Sequence, residues 1–595
     1  MRRYIRHLPD KPTGPKIKLK DLDRQTKALI INQIKLEKST LFYAFLAMIV
    51  VTVCSLALPY LSKIAIDKYI SSANKKGLFF VALTLIAIAL ITWTGSYLRG
   101  YFTSKAANRS VSRIREELYQ HVLNQSISFF EQEKTGDIIT RLSGDVGALS
   151  DLVASGLLSL IGDLFTLVGV IYIMLKLSPR LAGWLLTTVP IMIILLRQFG
   201  YKIKTVYATA REKSAELTSG VEEDISGIKV VQSLNRQDRN AAIFSDKSKE
   251  AAKAHIKAVS SMATLSPLMA IIQVGGLILI LWVGGTEVAK GRATIGTLLA
   301  FLSYSRQLFQ PLSDLTNLYT VLQSSLASLE RITDYLSRKP AVPQPTNAKQ
   351  LKDCRGQIEI TNITFGYNEK PLFTDFSLSI KPGETLALVG PTGSGKSTLI
   401  SLISRLYDPQ KGSISIDSVD LRDLDNRNLR KHIAVVPQTV TLFAGTLKDN
   451  IAYGRPNANM EAIETAAKRA AIHDFILTLP LGYNTEIGEA GKGLSGGQKQ
   501  LISYARAILA NPSILILDEA TSSVDAKTET AIKNAMEDIL KNRTCIIIAH
   551  RFATLKYADR IAVLNKGMLE AIGSRDELMK SSSLYQELVS KQMLA

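Results

Sequence analysis

Cysteine is scarce in this sequence: only three of its 595 residues are cysteines, Cys54, Cys354 and Cys545. So few exclude a fold built on disulfides. They lie far apart and form no Cys-x-x-Cys pair, which also excludes a structural zinc site. Charged residues, at 21%, are fewer than the roughly 25% of an average soluble chain. Because apolar residues make up 46%, long disordered stretches are not expected either.

Acidic residues are scarcest in the first part of the chain. Residues 341–595 hold 30 basic and 27 acidic residues, and the first 340 hold 42 and 25, so +17 of the net charge of +20 lies there. Such a surplus is typical of a chain that binds nucleic acid or faces a membrane. The same part contains long apolar runs, which a nucleic-acid-binding domain does not need. We therefore expect a membrane protein and no nucleic-acid partner.

Six apolar segments approach the roughly 20 residues that span a bilayer. Buried core helices would explain one such run, but six within 340 residues favour a transmembrane domain. The fourth and fifth are short and could extend into flanking helix. The segments are Thr40–Leu61, Leu78–Leu98, Leu152–Leu175, Leu181–Leu196, Pro267–Val283 and Ile295–Leu312.

Lysine and arginine set the expected orientation, because they are enriched in cytoplasmic loops. With the N-terminus inside, the inside segments hold 30 Lys/Arg and the outside loops eight. The inside connections 100–125 and 201–260 are rich in helix formers and predict extensions of the membrane helices. Between these helical extensions we expect short turns, Phe129–Asp137 and Glu222–Lys229. The basic N-terminus lacks the apolar run and cleavage site of a secretory signal, although a transit peptide remains an alternative.

The pattern changes after the proline-rich stretch 340–345. Short β-like runs such as Ile358–Ile360 and Thr385–Val389 alternate with helical stretches, which predicts an α/β domain with a mostly parallel sheet. The expected domains are a basic cytoplasmic N-terminal segment (1–38), a transmembrane domain (39–336), a linker (337–355) and a nucleotide-binding domain (356–595).

A phosphate-binding loop begins at Gly390 and matches the pattern GxxxxGK[ST] through Ser397. It follows an apolar run and precedes a helical stretch, as this motif requires. Its glycines let backbone N–H groups converge on phosphates, and the helix start adds favourable partial charge. Lys396 can reach the β- and γ-phosphates, and Ser397 can ligate Mg²⁺. An ordinary glycine turn is the alternative, and this context disfavours it.

Two further motifs support nucleotide chemistry. The apolar run 514–517 ends in Asp518 and Glu519; one carboxylate at a strand end can hold Mg²⁺, and the next can polarise an attacking water. The sequence LSGGQ at 494–498 opens another helical stretch. Residues 493–497 also match the GxSxG elbow of esterases, but that motif follows a strand, whereas a glycine-rich loop precedes it here.

Together these motifs resemble the ATPase domain of ABC transporters, because the phosphate loop, Gln438, LSGGQ, the ILILDE run, Asp525 and His550 occur in that order. With the preceding spans, the chain resembles a half-transporter of the ABC exporter type, as in bacterial multidrug exporters. The expected fold is an α-helical membrane domain of six transmembrane helices with long cytoplasmic extensions, fused to an α/β P-loop ATPase domain.

The resemblance implies a role for each matching residue. Glu519 is the catalytic base, His550 contacts the γ-phosphate, and Gln438 senses Mg²⁺ and water. Ser397, Gln438 and Asp518 hold Mg²⁺. Asp525 acts across a dimer interface, and Ser495 and Gly497 reach ATP on the partner. The nucleotide-binding residues are Tyr367, which stacks on adenine, with Gly390, Thr392, Gly393, Ser394, Gly395, Lys396, Ser397, Thr398, Ser495, Gly496, Gly497 and Gln498.

Three functions fit these features. The favoured one is ATP-driven export or flipping of an amphipathic drug, lipid or peptide by alternating access, with ATP and Mg²⁺ at composite sites in a dimer. A homodimer is favoured over a heterodimer because both halves of the site are intact. A channel gated by ATP, and a tethered ATPase of nucleic-acid metabolism, are the alternatives. The expected location is a bacterial cell membrane, in contact with its lipid, with the ATPase domain in the cytoplasm.

Two charges fall inside predicted spans, Asp163 in the third and Arg306 in the sixth. Counted from the span ends, both lie at similar depth. Ionisable groups within a bilayer are costly, so they pair with each other or face water. We hypothesise that the two face a central cavity and approach one another in at least one state; separate hydration is the alternative.

Overall fold

The computed structural model describes residues 24–151, 158–368, 370–488, 491–518, 526–549 and 552–593. The chain divides into two compact units. The first comprises Met1–Leu123 and Lys134–Arg338, and the second comprises Asn124–Glu133 and Lys339–Ala595. The short segment Asn124–Glu133 thus belongs to the second unit, although it interrupts the first in sequence.

All regular secondary structure among the described residues of the first unit is helical. It contains two π-helical turns, Ala65–Ile70 and Arg141–Asp145. Up to residue 337 the helices, of which α4 belongs to the second unit, are α1 (Arg24–Leu36), α2 (Lys38–Ile64), α3 (Lys75–Leu123), α4 (Ile127–Gln132), α5 (Thr135–Thr140), α6 (Val146–Asp151), α7 (Leu158–Leu177), α8 (Pro179–Leu186), α9 (Thr188–Ser226), α10 (Ile228–Ser233), α11 (Gln237–Ala289) and α12 (Ile295–Ser337).

Five helical stretches among the described residues are long and apolar enough to cross a membrane, one fewer than the sequence predicts. They are Lys38–Ile70, Lys75–Leu123, Leu158–Leu177, Pro179–Ser226 and Gln237–Ala289. The sixth predicted span is helical within α12. Its polar residues Arg306, Gln307 and Gln310 make this part of α12 less apolar than the other five. The count of six spans therefore stays a prediction.

The predicted extensions of the membrane helices are confirmed. Helix α3 has 49 residues and α11 has 53, so each is about 75–80 Å long at 1.5 Å per residue. Both continue well beyond the roughly 20 residues that a bilayer requires. The two predicted turns contain the breaks between helices: the first falls between α4 and α5, and the second contains the end of α9 at Ser226 and the start of α10 at Ile228.

A proline inside α2 is compensated from α12. Pro59 has no N–H, so the Ser55 carbonyl, four residues earlier, loses its helical partner. The amide of Gln307 donates to that carbonyl at 3.1 Å, and the buried Tyr304 hydroxyl donates to the neighbouring Leu56 carbonyl at 2.7 Å. Because an unpaired backbone group within a bilayer is costly, these bonds fix α12 against α2.

A buried carboxylate ties the segment after α5 to α12. Asp145 is 5% exposed and accepts hydrogen bonds from Arg331 Nε at 2.9 Å, from Ser328 Oγ at 3.0 Å and from Arg141 Nη1 at 3.0 Å. Burial raises the pKa of Asp145, but these donors outweigh it and hold the pKa below its ordinary value. The ionised Asp145 therefore anchors two arginines at this junction.

Asp163 lies on α7 and faces a cavity that Arg99 and Asp314 also line. Within the described part of the chain it forms no ion pair with Arg306. The hypothesis that these two charges pair therefore finds no support in this conformation.

The second unit has mixed α/β structure. Its strands are β1 (Ile358–Phe365), β2 (Phe373–Ile380), β3 (Thr385–Val389), β4 (Lys411–Ile416), β5 (Val419–Asp420), β6 (Ile433–Val436), β7 (Gly445–Thr446), β8 (Glu486–Ile487), β9 (Ile514–Asp518), β10 (Thr544–Ile548), β11 (Arg560–Asn565) and β12 (Met568–Gly573). Its remaining helices are α13 (Lys396–Ile403), α14 (Asn426–His432), α15 (Leu447–Ala452), α16 (Met460–Arg469), α17 (His473–Thr478), α18 (Gly496–Ala510), α19 (Ala526–Ile539), α20 (Arg575–Ser581) and α21 (Ser583–Met593).

The described strands form three sheets. The largest has the order β12-β11-β3-β10-β9-β6 and is parallel except for the pair β11–β12. Every residue of β3 and β10 is buried, as expected for central strands covered on both faces. This sheet confirms the predicted, mostly parallel α/β domain. A separate antiparallel sheet, β2-β1-β4-β5, was not predicted.

Candidate functional site

The predicted motifs meet at one edge of the parallel sheet. Strand β10 pairs with β3 on one side and with β9 on the other, so that Ile548 lies between Leu388 and Asp518. Strand β6 pairs with β9 on its far side, with Val436 beside Leu517. Because parallel strands end together, the phosphate loop after β3, Asp518 and the loop after β6 share the carboxyl edge.

The phosphate loop depends on glycine at two strained positions. Gly390 has φ of +154°, and a Cβ there would lie 2.2 Å from the Leu564 carbonyl oxygen. Gly395 precedes α13 with φ of +106°, where a Cβ would lie 2.7 Å from the Phe373 ring. Larger residues would therefore displace the loop from the strand and helix that frame it.

Hydrogen bonds to the phosphate loop fix the position of the Lys396 side chain. Its ammonium donates to the carbonyls of Gly390 at 2.8 Å and Pro391 at 3.0 Å, and the residue is 9% exposed. Burial lowers the pKa of Lys396 below its ordinary value, and the Asp518 carboxylate opposes that effect. The Lys396 ammonium therefore lies close enough to Asp518 to interact with its charge. At this position it can also form an ion pair with a bound phosphate.

The hydroxyl groups of the loop suit a phosphate ligand. Ser394 is 2% exposed, and its Oγ has no hydrogen-bond partner among the described residues. A buried hydroxyl without a hydrogen-bond partner is unusual. The Ser394 hydroxyl could donate a hydrogen bond to a phosphate oxygen. Thr392 and Ser397 are exposed, while Thr398 is buried. Thr398 therefore supports the helix start rather than presenting its side chain to solvent.

The oxygen donors at this edge also fit Mg²⁺. Asp518 ends β9, Ser397 begins the exposed face of α13, and Gln438 is exposed in the loop after β6. No cluster of three or more His, Cys, Asp or Glu residues occurs in the part of the chain that the structure describes. Mg²⁺ commonly needs only one or two protein carboxylates, because waters and substrate phosphates complete its shell.

The LSGGQ motif forms the start of α18. Ser495 is its N-cap, accepting from the Gln498 N–H at 3.2 Å while its own N–H donates to the Gln498 side chain at 2.9 Å. This capping box gives Gln498 a structural role besides the predicted nucleotide contact. Ser495 and Gly496 are exposed, whereas Gly497 is buried. The exposed helix start presents backbone N–H groups that suit an anion.

Tyr367 is held by two neighbouring rings. It is 50% exposed and stands edge-to-face against Phe365 at 5.3 Å and against Tyr407 at 5.2 Å. The Tyr407 hydroxyl donates in turn to the carboxylate of Glu131 in α4, and burial together with that carboxylate raises the pKa of Tyr407. Residues 276 positions apart thus support the predicted adenine-stacking ring, which no local pattern could reveal.

Replacing Tyr407 tests this support. We expect Tyr407→Ala to weaken ATP affinity about 2- to 10-fold, since an aromatic pair contributes about 0.5–1.5 kcal/mol beyond its buried area. Tyr407→Phe keeps the ring and should retain the affinity, although it loses the bond to Glu131. Titration with a fluorescent ATP analogue measures both variants. An alanine variant that binds ATP like the wild type would show that Tyr367 needs no support from Tyr407.

Arg506 is a second residue that sequence reasoning missed. It lies on α18 and donates to the Asn450 carbonyl at 2.6 Å and to the Thr441 carbonyl at 2.7 Å. Its guanidinium also packs over the rings of Phe443 and Tyr453. Arg506 thereby joins the signature helix to the segment that follows Gln438. In the sequence, the aromatic residues within 441–453 were the feature that could have indicated a cation–π partner for this arginine.

The remaining predicted site residues lie outside the described part of the chain. Glu519 and Asp525 follow Asp518 in sequence, and His550 follows β10. The esterase alternative has no structural support, because the described residues 491–495, directly before α18, form no strand, whereas a nucleophile elbow follows one.

Two family models match this chain. Residues 41–312 match the ABC transporter transmembrane region, and residues 373–522 match the ABC transporter model. The first match falls on the helical unit, and the second covers the phosphate loop, the signature motif and β9.

Curated relatives match almost the whole chain. An ABC transporter ATP-binding protein of Bacillus subtilis, YknV, is 36% identical over 93% of this chain and 92% of its own length. An ATP-dependent lipid A-core flippase of Syntrophus aciditrophicus is 35% identical over 92% of this chain and 91% of its own.

A solved structure agrees with these relatives. A bacterial Atm1-family ABC exporter with ATP bound superposes with a TM-score of 0.80 at 27% identity, covering 93% of this chain and 98% of that one. The chain therefore belongs to the ABC transporters, as a half-transporter of the exporter type that is embedded in a membrane and hydrolyses ATP to drive export.

Proposed function

We propose that this half-transporter works as a homodimer in a bacterial cell membrane, with its ATPase domain in the cytoplasm. It exports or flips an amphipathic drug, lipid or peptide, and it binds Mg-ATP at two composite sites. Each site combines the phosphate loop of one subunit with the LSGGQ of the other. The exposed start of α18 carries this proposal, since one subunit alone leaves its anion-binding end open to solvent.

The proposed site divides the work among residues at the sheet edge. Lys396 and the N–H groups of the loop bind the phosphates of ATP, and Tyr367 stacks on the adenine. Ser397, Gln438 and Asp518 hold Mg²⁺, which neutralises charge on the phosphates. Glu519 orients the water that attacks the γ-phosphate and withdraws its proton, and His550 contacts that phosphate.

The identity of the cargo is a separate proposal. One relative is named a lipid A-core flippase, and that name supports a lipid-like cargo. The exposed apolar residues of the membrane helices do not select among cargo classes, because they suit any amphipathic molecule. Lipid, drug and peptide cargo therefore all fit. ATPase stimulation and transport in lipid vesicles, measured over dyes, lipids and peptides, distinguish transport from ATP-gated conduction: a gated channel would conduct without stimulated turnover.

Subunit complementation tests the composite sites. Lys396→Ala disables one half of each site, and Ser495→Arg disables the other half. We expect either variant alone to lose ATPase activity. A one-to-one mixture, co-expressed, should recover about a quarter of the sites, because half of the dimers are mixed and each keeps one intact site.

The controls define what would refute the dimer. Co-expression of Lys396→Ala with itself should recover nothing. If the mixture is as inactive as the single variants although mixed dimers are purified, the composite site is wrong. If the wild-type chain is inactive until a different half-transporter co-purifies, the heterodimer replaces the homodimer.

A further inference from the structure

A polar cavity opens inside the helical unit, at one end of its membrane region: Asp163 lies within a span, and Arg99 and Asp314 lie just beyond the predicted spans Leu78–Leu98 and Ile295–Leu312. It has a volume of about 400 Å³ and lies among α2, α3, α7 and α12. Small-molecule sites range over roughly 300–1,000 Å³, so this space is large enough for a compact ligand. Asp163 faces it from within the apolar span Leu158–Leu177, five residues after the span begins.

Three charged groups line the cavity: Asp163, Asp314 and Arg99. Asp163 makes no hydrogen bond or ion pair with any side chain in the described ranges, and Asp314 accepts only from Gln310, at 3.2 and 3.3 Å. The Asp314 charge acts unfavourably on Asp163 and the Arg99 charge favourably. Arg99 forms no direct ion pair with either carboxylate among the described residues, so the cavity carries one net negative charge without a local counter-ion.

Asp163 lies within a span, where a charge without a partner is costly and usually marks the path of an ion or a substrate. A positively charged ligand would relieve the repulsion between the two carboxylates. The cavity wall also contains apolar residues, Val51, Leu160 and Val321, which suit the body of a lipophilic molecule. An anion would meet two carboxylates and one arginine and is disfavoured.

We propose that this cavity binds the positive charge of a lipophilic monovalent cation, with Asp163 and Asp314 as its ligands, and that such cations are cargo. This inference rests on the proposed export function and names a substrate class for it. In this proposal the bound cation, and not Arg306, is the ionic partner of Asp163.

Tetraphenylphosphonium and tetraphenylborate test the proposal, because they share shape and size and differ in charge. Their binding to the purified, lipid-reconstituted chain is measured without ATP by equilibrium dialysis, with protein-free lipid discs as the blank. We expect the phosphonium to bind at least about tenfold more tightly than the borate. Asp163→Asn and Asp314→Asn should each weaken phosphonium binding by about tenfold, since each removes a close opposite charge.

Two further variants keep the test decisive. Arg99→Gln removes the competing positive charge and should tighten phosphonium binding, a gain that misfolding cannot produce. Asp246→Asn changes an exposed carboxylate on α11 that pairs with Lys249, and it should leave phosphonium binding unchanged. Equal affinity for the two ions, or unchanged affinity in the Asp163, Asp314 and Arg99 variants, would overturn the proposal.

The outcomes separate this inference from the export function. If subunit complementation and transport of other cargo succeed while the charge preference is absent, only the cation site is wrong. If phosphonium binds with the expected charge dependence but no cargo is transported in vesicles, the site stands and the export proposal falls.

Discussion

Glu519→Gln should bind Mg-ATP with near wild-type affinity and hydrolyse it about 100- to 10,000-fold more slowly, the range that a general base contributes. Glu519 directly follows Asp518 at the end of β9, so it lies in sequence next to the edge where Lys396 and the phosphate loop meet. Glutamine keeps the size of the side chain but cannot accept the proton of the attacking water.

Phosphate release in lipid vesicles and binding of a fluorescent ATP analogue measure the two properties separately. Lys396→Ala is the matched contrast, since it should lose binding as well as turnover. Turnover of the Gln variant close to that of the wild type would remove Glu519 from the role of base.

Asp145→Ala should destabilise the helical unit by about 1.5–3 kcal/mol, the range for losing a hydrogen bond to a charged group, because the Arg141 and Arg331 side chains left behind are 24% and 40% exposed and water can partly solvate them. Asp145 accepts hydrogen bonds from Arg141, Ser328 and Arg331, and alanine would leave both guanidinium groups uncompensated. Such a loss should appear as a fall in the unfolding temperature.

The tryptophans provide a selective signal for this measurement. All three, Trp93, Trp184 and Trp282, belong to the helical unit, so their fluorescence follows its unfolding and not that of the ATPase unit. Asp334→Ala is the control: its carboxylate is 58% exposed beside Arg338, and an exposed pair contributes about 0–1 kcal/mol. If both variants unfold at the wild-type temperature, the Asp145 network does not stabilise the fold.

Sequence patterns predicted those parts of the fold that depend on residues adjacent in the chain. The strand Thr385–Val389, the phosphate loop and the helix that begins at Lys396 are adjacent in sequence, and the structure contains them as β3, the loop and α13. The parallel sheet then followed from alternation of strands and helices. The long extensions α3 and α11 followed from helix-forming composition.

Contacts between distant residues were beyond such patterns. Gln307 bonds the carbonyl that Pro59 leaves unpaired, and Tyr407 bonds Glu131, yet neither partner lies near the other in sequence. The antiparallel sheet also escaped prediction, because β1 pairs with both β2 and β4 through interrupted registers. Interrupted pairing breaks the regular alternation on which strand prediction depends.

Helix α11 has a mechanical consequence. A rod of 53 residues is a lever about 80 Å long, so a tilt of about 5° at one end displaces the other by about 7 Å. Pro267 interrupts its hydrogen-bond ladder and is where such a lever would flex first. As long as α11 stays straight through Pro267, a tilt of about 5° at one end therefore becomes, at the other end, a displacement larger than one helical turn.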